Sequence, residues 1–99
     1  MREITHPKIP DSSSAVLEAG GRSILLCNSG GTHYAIENRC THQESPLAGG
    51  RVRNGFISCP LHGVRFNLKT GEPIGDLARL RVKTFAVIET DDGIVVALD

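Results

Sequence analysis

Two short segments hold the residues best suited to chemistry. Cys40 and His42 form a C-x-H pair, and after sixteen intervening residues Cys59 and His62 form a C-x-x-H pair. Thiolate and imidazole both serve zinc and iron–sulfur clusters. A structural zinc site with two cysteines and two histidines usually gathers both cysteines in one knuckle and both histidines on a helix. Here each segment offers one residue of each type. A [2Fe–2S] cluster with two thiolates on one iron and two imidazoles on the other suits that arrangement, because two loops can then grip the two irons symmetrically. The pattern favours the cluster, and zinc stands as the competing reading. Colour separates the two: a red-brown protein with about two irons and two acid-labile sulfides per chain against a colourless one with zinc.

The elements that must position these loops read as all-β. No window of ten or more residues carries an apolar stripe at helical spacing. Short apolar or alternating runs at 15–18, 23–27, 33–37, 50–53, 56–58 and 64–68 are separated by turn residues. Asn54-Gly55 is a strong two-residue hairpin signal, since both central positions of a type I′ turn need positive φ. The run 80–89 reads as a long strand, Asp92-Gly93 as a second hairpin turn, and 94–98 as the closing strand. Strands at this spacing predict an antiparallel sandwich or barrel. Residues 39–47 fit no strand pattern and read as an ordered loop, the usual place for a site on a rigid scaffold.

Length and charge bound the answer further. With 99 residues there is room for one small domain, which a bound metal would help to stabilise. Eleven basic residues balance eleven acidic ones, which argues against a nucleic-acid binder. The longest apolar run, 94–98, is far short of a membrane span, and the first eleven residues lack the apolar core of a secretory signal. A soluble, cytoplasmic monomer is expected. Three cysteines, an odd count, argue for metal binding or burial rather than a disulfide framework.

These motifs, over essentially the whole chain, resemble those of the Rieske-type ferredoxins, the ferredoxin components of bacterial aromatic-ring-hydroxylating dioxygenase systems. The resemblance implies one Rieske [2Fe–2S] cluster, with Cys40 and Cys59 on the inner iron and His42 and His62 on the outer. It implies a single domain over 1–99, with a base from 1–38 and 73–99 and a cluster-binding subdomain over 39–72. A third, proline-bearing loop is similar to 71–75. The implied role is one-electron transfer without substrate turnover, from a flavin-containing NAD(P)H-dependent reductase to a terminal oxygenase. A small Rieske subunit of another oxidoreductase, such as a nitrite-reductase-like complex, is the alternative within redox chemistry. A zinc interaction module is the alternative outside it. High-potential Rieske proteins pair an extra cysteine in each ligand loop; Ser45 and Leu61 stand at those places here. Those proteins also place hydroxyls where this chain has Val64 and Phe66. Fewer donors to sulfur imply a potential low in the Rieske range.

The remaining residues have plainer readings. Leu47, Pro60 and Leu61 are candidates to shield the cluster. Cys27 reads as a buried small hydrophobe, His6 as a solvated terminal residue and His33 as a surface histidine on an edge strand. Arg79, Arg81 and Lys83 alternate with Leu80 and Val82 and read as the wet face of a strand. The zero net charge hides a segregation. Residues 39–72 hold five basic against two acidic residues, a net +3, and the rest six against nine, a net −3. Such a dipole can orient docking with an acidic partner and weakens with salt.

Overall fold

The computed structural model describes residues 3–41, 45–60, 63–74 and 80–98. Among them are ten strands: β1 (Glu3–His6), β2 (Ser13–Ala19), β3 (Arg22–Ser29), β4 (Thr32–Glu37), β5 (Val52–Arg53), β6 (Phe56–Ser58), β7 (Arg65–Asn67), β8 (Pro73–Ile74), β9 (Thr84–Thr90) and β10 (Gly93–Ala97). The expected all-β architecture is present. One sheet of six strands runs β1-β10-β9-β4-β3-β2, a second of four runs β5-β6-β7-β8, and every pairing is antiparallel.

β3 lies between two apolar clusters, one on each of its faces. Its run Ile24-Leu25-Leu26-Cys27 is buried throughout. Successive side chains point to opposite faces of a strand, so a continuous apolar run implies burial on both sides. Ile24 and Leu26 join Leu17, Ala35, Phe85, Ile94 and Val96 inside the larger sheet. Leu25 and Cys27 face the other way, into a cluster with Leu47, Val52, Ile57, Phe66 and Leu68 from the smaller sheet and its loops. Cys27 is a buried thiol as expected, and burial pushes it from its ordinary 9.0 up to about 12.

The smaller sheet is an excursion between two neighbouring strands. β4 and β9 pair at Ala35↔Phe85 and Ile36↔Thr84, and the Glu37 amide donates to the Lys83 carbonyl at 2.8 Å. Residues 38–83 thus leave and re-enter the larger sheet at one point. Within the excursion, Asn54 and Gly55 have φ of 52° and 82°, which matches the type I′ hairpin. Gly71 has φ of 81°, and a Cβ there would lie 2.0 Å from the Val82 carbonyl oxygen. Only glycine lets that backbone approach so closely; the Val82 amide donates back to the Gly71 carbonyl at 2.9 Å.

Four sequence expectations change. The strand expected over 80–89 begins only at Thr84. The amides and carbonyls just before it bond to two loops and to the end of β4: Leu80 O accepts from the Thr41 hydroxyl, Val82 N–H donates to the Gly71 carbonyl, and Lys83 O accepts from the Glu37 amide. Leu80 is 69% exposed while Val82 is buried, and Arg79 lies outside the described residues. The second hairpin turns at Asp91-Asp92, because Thr90 and Gly93 pair across it. His6 lies half-buried in β1, which pairs with β10. His33 is 5% exposed on β4, an interior strand between β3 and β9. The Ile9 amide donates to its Nε2 at 3.1 Å, which leaves the ring proton on Nδ1, facing Glu89 Oε1 at 2.7 Å. Asn28 Nδ2 donates to the Ile9 carbonyl at 2.7 Å, so both backbone polar groups of Ile9 are held by side chains of the larger sheet.

Candidate metal centre

Both cysteines of the sequence motifs open a loop of the same size. The Cys40 amide donates to the Ser45 carbonyl at 2.6 Å, and the Cys59 amide to the Val64 carbonyl at 2.7 Å. Each bond closes a six-residue loop that spans a motif histidine. In the second loop the Gly63 amide also donates to the Cys59 carbonyl at 2.9 Å. His42 and His62 lie outside the described residues, so among the described residues no group of three metal-binding side chains occurs.

The scaffold holds each loop by a different means. The first hangs from Asn38, whose Oδ1 accepts the Leu47 and Ala48 amides at 2.9 and 2.8 Å. Its Nδ2 donates to the Ser23 hydroxyl at 3.0 Å, and its amide to the Ser23 carbonyl at 3.0 Å. This side chain therefore ties the loop to the start of β3. The Thr41 hydroxyl adds a second tie, to the Leu80 carbonyl at 2.7 Å. The second loop is the connection of the β6–β7 hairpin, with Ser58↔Arg65 as the rung beneath it.

Cys40 and Cys59, 0% and 2% exposed, fall in the same apolar cluster although nineteen positions apart. Two buried thiols brought together from two matched loops are the donors that one iron of a [2Fe–2S] cluster requires. A further feature fits a sulfur-rich group. The Ser45 hydroxyl is the single buried side-chain oxygen or nitrogen among the described residues without a hydrogen-bond partner. Buried hydroxyls are rarely left so, and this one is a donor beside the Cys40 loop. Leu47, a proposed shield residue, is wholly buried; Pro60 is exposed, and Leu61 lies outside the described residues. Val64 and Phe66 are buried and apolar.

An all-β scaffold that presents two cysteine-led loops from one apolar cluster fits an iron–sulfur electron carrier. Comparison with known proteins agrees: residues 4–86 match the Rieske [2Fe-2S] domain. The chain belongs to that family, and the cofactor is one Rieske [2Fe–2S] cluster. It is 34% identical over 79 residues to the ferredoxin component of biphenyl 2,3-dioxygenase from Rhodococcus jostii, covering 79% of this chain and 74% of that one. Among solved structures, the ferredoxin of carbazole 1,9a-dioxygenase from Nocardioides aromaticivorans superposes with a TM-score of 0.90 at 26% identity, covering all of both chains. A structure of the complex of reduced oxygenase and oxidised ferredoxin in carbazole 1,9a-dioxygenase matches at 27% identity, with a TM-score of 0.82 over 90% of this chain and 92% of the other. A putative nitrite reductase small subunit from Mycobacterium tuberculosis, at 19% identity, TM-score 0.86 and 99% and 96% coverage, shares the fold alone. The chain is thus a ferredoxin component, an electron carrier and not itself the oxygenase. No helix among the described residues is long and apolar enough to cross a membrane.

Proposed function

We propose that Cys40 and Cys59 ligate one iron of the cluster and His42 and His62 the other, and that the protein carries single electrons in the cytoplasm from a flavin-containing NAD(P)H-dependent reductase to a terminal aromatic-ring dioxygenase. The cluster-binding part is residues 39–72 and the rest its base, except that β8 (Pro73–Ile74) completes the smaller sheet on the cluster-binding side. The observation that carries this reading is the pair of matched loops, each closed at a buried cysteine, in a chain related to a dioxygenase ferredoxin component.

When bound, the cluster takes up and gives back one electron. The protein's own part is geometric and dielectric. Asn38 and Thr41 tie the flanks of the first loop to the start of β3 and to the Leu80 carbonyl. Leu47, Val64 and Phe66 exclude water on the buried side. The unpartnered Ser45 hydroxyl at the end of the first loop would be available to donate to sulfur.

The test has two stages. Purified protein should contain two irons and two acid-labile sulfides per chain and, once reduced, show a Rieske electron paramagnetic resonance signal. It should then couple NAD(P)H oxidation by a dioxygenase-system reductase to ring hydroxylation by the matching oxygenase. A zinc-loaded, colourless protein would overturn the ligand assignment. A proper cluster that couples to no such pair would overturn the system assignment alone.

A further inference from the structure

The outward face of the smaller sheet gathers three arginines beside the second ligand loop. Val52, Ile57 and Phe66 point into the core, so their strand neighbours point to solvent. The first rung under the loop reads Arg51–Ser58–Arg65–Ile74 across β5 to β8; Ser58 N–H bonds to the Arg51 carbonyl, and Arg65 pairs with both Ser58 and Ile74. The next rung pairs Arg53 with Phe56 and Phe56 with Asn67. Arg51, Arg53, Asn54, Phe56, Ser58 and Arg65 line one open groove of about 300 Å³. All three arginines are exposed, and none makes an ion pair among the described residues. Two carboxylates lie at its margins: exposed Glu72, opposite Asn67 at the β7–β8 edge, and Asp11, which lines an adjoining groove with Arg53 and gives its Oδ1 to the Gly30 amide.

Unpaired arginines around an aromatic ring, with Ile74 43% exposed at the rim, are the composition of a protein contact surface. We propose that this face docks a carboxylate-rich surface of the electron-donating protein. The inference rests on the carrier reading above. Its choice of donor over acceptor follows from charge. One electron passes from donor to carrier, no bond is made or broken, and the carrier becomes one unit more negative. An acidic partner on this face therefore binds the oxidised carrier more tightly than the reduced one. A donor needs that order, to seize the oxidised form and release the reduced; an acceptor needs the reverse. Ser58 precedes Cys59, Arg65 follows Val64, and the Arg51 carbonyl accepts the Ser58 amide, so a partner seated there sits beside the loop.

The test uses the oxidised holoprotein in stopped-flow reduction. Reduced flavodoxin serves as an acidic protein donor and methyl viologen radical as a cationic one. The triple variant Arg51→Glu/Arg53→Glu/Arg65→Glu should slow reduction by flavodoxin about tenfold or more at low salt, the scale of electrostatic steering. The gap should close as ionic strength rises, and reduction by viologen should not slow. The triple glutamine variant should fall between, and it carries the test if the glutamate variant folds poorly. Hexacyanochromate(III), a paramagnetic trianion, should broaden the backbone resonances of Phe56, Ser58 and Arg65 before others. Unchanged flavodoxin rates in both variants, equal slowing with both donors, or broadening centred elsewhere would overturn the proposal. Wild-type protein without a Rieske signal would instead overturn the reading on which it rests.

Discussion

Cys27, Cys40 and Cys59 share one apolar cluster, yet their roles divide by the backbone that carries them. Cys27 sits mid-strand in β3, wholly buried, whereas Cys40 and Cys59 open loops. The proposed ligation predicts that Cys40→Ala and Cys59→Ala each abolish the Rieske absorption and resonance signals. Cys27→Ala should leave both unchanged and cost about 1–2 kcal/mol for the small cavity, read from denaturant unfolding. The Cys27 thiol also has a pH signature. Its value rises from 9.0 to about 12 on folding, so the folded state keeps a proton that the unfolded chain loses. That stability is complete below pH 9.0 and is lost as pH climbs through about 12. Unfolding midpoints of wild type and Cys27→Ala should converge over that interval; parallel curves would contradict the assignment.

The segments around the ligand loops were legible at the level of elements because their signals are local. The hairpin at Asn54-Gly55 and the buried trio Val64, Phe66 and Leu68 follow from turn chemistry and alternation, and both stand in the structure. What stayed hidden depends on partners far along the chain. β1 has four residues and gains its identity from β10, some ninety positions away. β8 has two and exists through β7. The backbone at 80–83 has strand-like alternation, but its hydrogen bonds go to Thr41, Gly71 and the last residue of β4 in place of a continuous ladder. His33 is polar by type and buried by neighbours: Ile9 and Glu89 supply the partners that make burial tolerable. Asn38, unremarked in the sequence, turns out to suspend the first ligand loop. Asn38→Ala leaves two loop amides without their acceptor and should destabilise by about 2–4 kcal/mol. It should also speed cluster loss on dilution into chelator, followed by bleaching, whereas Asn38→Asp keeps the acceptor and should retain most of the cluster's lifetime. His33→Leu strands the Ile9 amide and should cost about 1–3 kcal/mol by denaturant unfolding, with the cluster spectrum unchanged.

For the whole molecule, the environment of the redox centre matters more than any one contact. Val64 and Phe66 are buried hydrocarbon on the stretch that follows the second loop, so that stretch offers sulfur no hydroxyl. The midpoint potential should then fall in the lower part of the Rieske range of roughly −150 to +300 mV, below zero. A redox titration followed by electron paramagnetic resonance measures it, and a value well above zero would contradict the argument. The charge segregation seen in the sequence gains a location as well. Of the basic residues in 39–72, three line the groove on the outer face of the smaller sheet, while the β9–β10 turn carries Asp91 and Asp92.

The meeting of β4 and β9 has a consequence for how such proteins diversify. Because the chain departs after Glu37 and returns at Lys83 hydrogen-bonded to its own point of departure, everything between is, in topological terms, one long hairpin loop. Doubling the length of a flexible loop costs only about 0.6 kcal/mol in closure entropy. The cluster-bearing excursion can therefore lengthen, shorten or exchange its outer surface while the parent sheet keeps its register. Selection for new redox companions can act on the inserted portion alone, like a cartridge seated in an unchanged housing.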